Sequence, residues 1–394
     1  MGVRHADPHS FFMRTSVLNH LGPEAKMRGT EQLSRLGQSL WLDNITRGLV
    51  TSGTLEGYVR DLSITGLTSN PSIFDHAIRD SGFYDEAIRA HACPAQSGER
   101  LFFELALYDL RMAADLFRHV HDASQGVDGW VSLEVSPLLA NEPVLTLQAA
   151  KDLFAAANRP NLFIKIPGTP RGLSAIEDAI FAGIPVNVTL LFSRDQYMDA
   201  AGAYMWGVER RIQAGLNPAV HSVASIFISR WDRAVAGKEP DGLKNRLGIA
   251  VAMQVYKAYR DLLVSPQWLR LAARGACVQR LLWASTGVKD PNAADTLYVS
   301  TLAAPDTINT IPEATLLAFA DHGQVSKTLP SDGGDCESVL NRFASSGIDS
   351  GLLAGQLQQE GAEAFVKSWN DLIACIESKS QLALHGMRAA PARG

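Results

Sequence analysis

Cysteine is scarce in this chain of 394 residues. Cys93, Cys277, Cys336 and Cys375 stand far apart and form no C-x-x-C pair. That spacing excludes a zinc knuckle and a dithiol redox motif. So few thiols in so long a chain fit a reducing compartment. Long apolar runs are missing too: none approaches the roughly 18 residues that a membrane-spanning helix needs. The first 28 residues hold no apolar stretch of signal-peptide length. Gly2 opens no myristoylation motif, because Ala6 stands where serine or threonine is required. The cytoplasm is therefore the expected compartment, with no membrane partner. No long basic run occurs and the net charge is −5, so nucleic acid is not an expected partner. The patterns H-E-x-x-H, G-x-S-x-G, G-x-G-x-x-G and the P-loop are absent. His119 and His121, two apart on a predicted helix, point to different sides. No metal or nucleotide cofactor is expected.

What is present is regular. Hydrophobic residues make up 46% of the chain and charged residues 20%, enough apolar material for one large core. From about Glu31, short runs rich in Val, Ile, Leu and Thr alternate with stretches whose apolar residues recur every three or four positions. Eight runs are predicted as strands: Ser39–Ile45, Ile64–Ser69, Val131–Val135, Leu162–Ile166, Val186–Leu191, Ser222–Ile228, Arg280–Ser285 and Leu297–Leu302. Helical spacing fills segments between them, such as Leu101–Val120, Thr146–Ala157 and Leu243–Leu263. Strand-then-helix repetition implies parallel strands joined by crossover helices. Eight units suggest a closed (β/α)8 TIM barrel; an open doubly wound sheet is the alternative on pattern alone. Glu337–Ser346 and Gly351–Ser378 read as extra C-terminal helices that could pack over the barrel. The expected organisation is an extension over residues 1–28, a single barrel domain over 29–380, and a flexible tail over 381–394.

Barrel strands are covered on both faces and should read almost wholly apolar, with active sites at their C-terminal ends. Polar residues late in these strands are the informative ones, and they occur in seven of the eight proposed runs. Lys165 is the only charge in Leu-Phe-Ile-Lys-Ile-Pro (162–167). A buried lysine loses solvation, and its neutral amine becomes a nucleophile toward carbonyls. A lysine that snorkels out of a strand end is the bland alternative. Glu134 interrupts Trp-Val-Ser-Leu-Glu-Val one strand earlier, so the two could share the barrel mouth or form a purely structural ion pair. Asp43 ends the first strand. Asn70 ends the second, before Pro71, where helix capping would also favour asparagine. Asn187 and Thr189 alternate with Val186, Val188 and Leu190, which puts both polar groups on one face. Ser225 interrupts the sixth run, and Ser285 and Thr286 end the seventh.

These segments resemble transaldolases from about Gln32 to Ile376. The resemblance is carried by Gln-Ser-Leu-Trp-Leu-Asp (38–43), Gly-Leu-Thr-Ser-Asn-Pro-Ser-Ile-Phe (66–74), Val-Ser-Leu-Glu-Val (131–135), Leu-Phe-Ile-Lys-Ile-Pro-Gly-Thr (162–169), Asn-Val-Thr-Leu-Leu-Phe-Ser (187–193) and Trp-Ala-Ser-Thr (283–286). It implies a class I aldolase chemistry without metal or cofactor, in the non-oxidative pentose phosphate pathway. Lys165 would form a Schiff base with a ketose phosphate, and Asp43 would act as general acid/base on the C4 hydroxyl. Glu134 and Thr189 would match the pair that handles a catalytic water. Asn70 and Asn187 match positions that hold the dihydroxyacetone moiety; Ser225, Arg230 and Ser285 match the phosphate end. The implied partners are sedoheptulose 7-phosphate, fructose 6-phosphate, glyceraldehyde 3-phosphate and erythrose 4-phosphate. Some relatives carry Ser-x-Arg after the seventh strand. This chain has Ser285-Thr286-Gly287-Val288-Lys289, as in the longer type, which makes Lys289 the expected basic partner. On the residues alone, Arg230 could instead pair with Asp232 or Asp195, and Lys289 could be a solvated loop residue.

Two rivals follow. A fructose 6-phosphate aldolase of the same superfamily releases dihydroxyacetone, but tends to carry glutamine where Glu134 stands. A non-catalytic sugar-phosphate-binding barrel would be expected to lack Lys165 or Asp43.

Overall fold

The computed structural model describes residues 27–93 and 96–389, so residues 1–26 of the expected extension lie outside the described residues. Eight parallel strands close into a barrel in chain order. They are β1 (Ser39–Asp43), β2 (Ile64–Thr68), β3 (Val131–Glu134), β4 (Leu162–Pro167), β5 (Val186–Leu191), β6 (Ser222–Phe227), β7 (Gln279–Ala284) and β8 (Ile308–Ile311). Helices surround them, which gives the (β/α)8 architecture. Every residue of β4, β5 and β6 is buried, as expected for strands covered on both faces.

The first seven predicted runs match observed strands to within two residues. The eighth does not. Leu297–Thr301 is a helix, and Tyr298, Val299 and Leu302 are buried at its inner side. Six residues with four apolar positions fit either period, so the run alone is ambiguous. The strand that closes the barrel is Ile308-Asn309-Thr310-Ile311, paired with both β1 and β7. It is short and half polar, and an apolar criterion passes over it.

Aromatic rings fill the barrel below the strand ends. Trp130 stacks on Phe163 with centroids 4.1 Å apart, and Trp41 lies 6.2 Å from the same ring. Trp41 Nε1 donates to Asp128 Oδ1 at 2.7 Å, which satisfies its buried polar edge. Polar chemistry is left to the opposite, C-terminal end.

That end is covered by the terminal helix, Ser350–Ala389, which runs past the expected domain boundary at residue 380. Ala354, Leu357, Phe365, Trp369, Leu372 and Ile376 form its buried stripe at helical spacing. Gln358 Nε2 donates to the Gly168 carbonyl at 3.0 Å and the Leu190 carbonyl at 2.9 Å. Ser72 Oγ donates to Ser368 Oγ at 2.8 Å, and Trp369 meets Phe102 edge-on at 5.2 Å. The helix is thereby tied across the strand ends. The other extra helix, Cys336–Ser345, packs instead on helix Leu247–Leu263.

Candidate active site

Parallel pairing sets Glu134 of β3 beside Lys165 of β4, and Lys165 beside Asn187 of β5. Lys165 is 6% exposed and does not snorkel. Its Nζ donates to Glu134 Oε2 at 3.2 Å and to the Ser69 carbonyl at 3.1 Å. Asp43 ends β1 opposite Thr68 of β2 and accepts from Thr68 Oγ1 at 2.8 Å. Thr68 in turn shares a 2.6 Å hydrogen bond with Thr310 of β8.

Burial pushes the Glu134 carboxyl above the ordinary carboxylate range; Lys165 opposes this, and the charge of Asp43 adds to it. Burial likewise raises Asp43, against Lys165 and the Thr68 hydroxyl. Two carboxylates share one amine, which offsets only part of their desolvation. Glu134 Oε1 and Thr189 Oγ1 are buried without a hydrogen-bond partner. An orphaned buried polar atom costs about 1–3 kcal/mol, so both are suited to a substrate group or water. Thr189 shares a face with Asn187 by strand alternation, and β5 departs from regularity just beyond it. Leu190 has φ 60°, and the β5–β6 register shifts between Val188 and Leu191.

Asp43, Asn70, Lys165, Thr189, Ser225, Arg230 and Ser285 all line one cavity of about 280 Å³. Asn70 Oδ1 also caps helix Pro71–Asp80, accepting from Ile73 N at 3.2 Å, so capping and lining coexist. Asn187 is fully buried and does not line the cavity. Its amide donates to Ser132 Oγ at 3.2 Å and its oxygen accepts from Ser225 Oγ at 2.7 Å, so it holds Ser225 in place. Ser285, at φ 56°, shares a 2.9 Å hydrogen bond with Ser229.

Arg230 pairs with neither aspartate considered from the sequence. Asp232 accepts from Tyr298 Oη at 2.8 Å and Leu247 N at 2.9 Å, while Asp195 meets Arg194 at 3.4 Å. The guanidinium carbon lies 5.1 Å from the Phe227 ring and 6.0 Å from the Phe365 ring. Burial lowers its pKa; Arg233 adds to this, and Glu360 opposes it. A guanidinium held beside two rings, with no ion-paired carboxylate among the described residues, suits an anion. Lys289 is exposed and does not line the cavity.

Residues 40–376 match the family described as Transaldolase/Fructose-6-phosphate aldolase. The chain belongs to the transaldolase family. It is 43% identical over 354 residues to the transaldolase of Frankia alni, covering 88% of this chain and 95% of that one. Identity to the transaldolase of Thermobifida fusca is 42% over 364 residues, covering 90% and 98%. Transaldolase 2 of Nostoc punctiforme is 38% identical over 368 residues, covering 88% and 96%. The protein is an enzyme of the transaldolase type.

Larger hollows occur elsewhere among the described residues, two of them of about 670 Å³ beside Arg233 and about 650 Å³ around His221 at the barrel's other end. Neither is lined by Lys165, so chemistry rather than size singles out the candidate site. Nine lining residues are not among the sequence-predicted site residues, and Thr68, Phe227, Thr310 and Phe365 are four of them. Thr68 ends an apolar strand, which is the signal that marked the others. Thr310 sits on the strand that was passed over. Phe227 and Phe365 are apolar and read as ordinary core.

Proposed function

We propose that the enzyme moves a dihydroxyacetone unit between sugar phosphates through a Schiff base on Lys165. The amine attacks the C2 ketone of sedoheptulose 7-phosphate or fructose 6-phosphate. Glu134, with Thr189, holds the water that leaves as the imine forms; the two orphaned oxygens support this reading. Asp43 takes the C4 hydroxyl proton as the C3–C4 bond breaks, and the aldose phosphate departs. The electron pair rests in the enamine until glyceraldehyde 3-phosphate or erythrose 4-phosphate brings a new aldehyde. Asp43 then returns its proton to the new alkoxide, and water frees the product. Asn70 binds the dihydroxyacetone hydroxyls directly, and Asn187 acts through Ser225. Arg230 and Ser285 take the phosphate, and Lys289 adds a second, less directional charge. This is the exchange of the non-oxidative pentose phosphate pathway, and the unpaired thiols support a cytoplasmic setting for it.

The observation that carries the reading is Lys165 itself: an amine 6% exposed, facing the cavity and hydrogen-bonded to a carboxylate. Product analysis with fructose 6-phosphate tests it. With erythrose 4-phosphate present, sedoheptulose 7-phosphate and glyceraldehyde 3-phosphate are expected. Without an acceptor, little dihydroxyacetone should accumulate. Equal dihydroxyacetone release under both conditions would support the aldolase reading instead. No turnover under either would support the binding-protein reading.

A further inference from the structure

The terminal helix contributes Phe365 to the cavity lining. The ring is 6% exposed, and its centroid lies 5.6 Å from Lys165 Nζ and 6.0 Å from the Arg230 guanidinium carbon. It therefore stands between the two cations assigned to opposite ends of the sugar. Its neighbours on the same helical face fix it there. Gln358 is bonded to the carbonyls of Gly168, just after β4, and Leu190, near the end of β5, and Ser368 is bonded to Ser72 after β2. Between them Gly361 allows close approach: a Cβ there would come within 2.9 Å of Leu190 Cδ2 and 3.0 Å of Arg230 Nη1. Positions 358, 361, 365 and 368 follow the three- and four-residue spacing of one helix face.

We infer that Phe365 is a specificity-determining residue: its ring keeps solvent from the three-carbon enamine, so that the unit passes to an aldehyde and is not released as dihydroxyacetone. This rests on the Schiff-base reading above. The enamine has two fates. In transfer, its nucleophilic carbon attacks the acceptor's aldehyde carbon, a C–C bond forms, and the new alkoxide takes the proton held by Asp43. In release, the same carbon takes a proton from solvent instead. The resulting iminium adds water at C2, the C–N bond breaks, and dihydroxyacetone and the free amine separate. Neither route involves oxidation or reduction; they divide at the protonation of carbon. An apolar ring packed against the reacting nitrogen hinders that step by excluding water. The water needed to form and break the imine is met from the strands, by Glu134 and Thr189, and not from the helix.

Phe365→Ala, Phe365→Val and Phe365→Leu test this with fructose 6-phosphate, measuring dihydroxyacetone release without acceptor and sedoheptulose 7-phosphate formation with erythrose 4-phosphate. The ratio of release to transfer is expected to rise about tenfold in the alanine variant and less than about threefold in the leucine variant, which keeps apolar bulk. Valine should fall between them, and the Val and Leu variants carry the test if the alanine variant does not fold. Equal losses of both rates, leaving the ratio at its wild-type value, would overturn the inference and leave the ring as helix packing. So would a ratio that rises equally in all three. Borohydride trapping of the wild-type enzyme is run alongside. Failure to trap an adduct sinks the Schiff-base reading, whereas an unchanged ratio with trapping intact sinks only the role of Phe365.

Discussion

Glu134 and Lys165 face each other across β3 and β4, with Oε2 3.2 Å from Nζ and both side chains nearly sealed from solvent. Such a pair is a poor way to hold a barrel together. Desolvating both charges consumes much of their attraction, and apolar residues of similar volume often serve stability as well or better. The second carboxylate oxygen also lacks a partner. The arrangement makes sense as chemistry rather than as a brace.

If Glu134 positions water for the imine steps, Glu134→Gln should slow Schiff-base formation by about 10²–10⁴-fold, the usual worth of acid–base help. The amide can still accept from Lys165, so the thermal midpoint should move little. Pre-steady-state imine formation is the measurement. An unchanged rate in the variant would make the structural ion-pair reading the better one.

Asp43 supplies a prediction with a sign. Burial holds its folded pKa above the ordinary 3.8, so the folded chain keeps a proton where the unfolded chain has lost it. Stability linked to this group is fully present below the unfolded value and is lost as pH rises through the folded one. Asparagine never carries the charge. Asp43→Asn should therefore lose activity by about 10²–10⁴-fold yet unfold at higher denaturant at pH 7, with the gain shrinking as pH falls toward 3.8. Denaturant midpoints at pH 7 and pH 4 decide it. A less stable variant at pH 7 would mean that the charge on Asp43 stabilises the fold.

Arg230 has no carboxylate partner among the described residues and stands beside two rings at the cavity wall. Charge-assisted bonds to phosphate are worth about 1.5–3 kcal/mol each, so Arg230→Ala should lower kcat/KM for fructose 6-phosphate at least about tenfold. Unphosphorylated fructose should be affected far less. Lys289 is exposed, and an exposed ion pair is worth about 1 kcal/mol or less, so Lys289→Ala should show the same selectivity with a smaller loss. Equal losses for both sugars would place the phosphate elsewhere and give Arg230 a role in the fold.

Lys165, Glu134 and Asp43 were legible because each is a single charge in an apolar strand, and burial makes such a residue conspicuous. The barrel was legible for a related reason, since strands covered on both faces read as apolar runs. The eighth strand was hidden because its middle residues, Asn309 and Thr310, are both polar and both buried, with Thr310 turned inward to the cavity. The same inward polarity that makes Thr310 a lining residue removed the signal that would have found it. Arg230 was visible as a charge, but its freedom from Asp232 depends on Tyr298 and Leu247 occupying that carboxylate. Phe365 lies 200 positions from Lys165 on a helix whose apolar stripe looks the same whether it covers core or catalyst. Only the path of the helix across the barrel mouth distinguishes the two.

Treating the enzyme with fructose 6-phosphate and borohydride, then mapping the reduced adduct by mass, tests the central claim most directly. The account predicts one three-carbon adduct, on Lys165, and none in a folded Lys165→Ala variant. An adduct on a different lysine, or one that persists in Lys165→Ala, would contradict it.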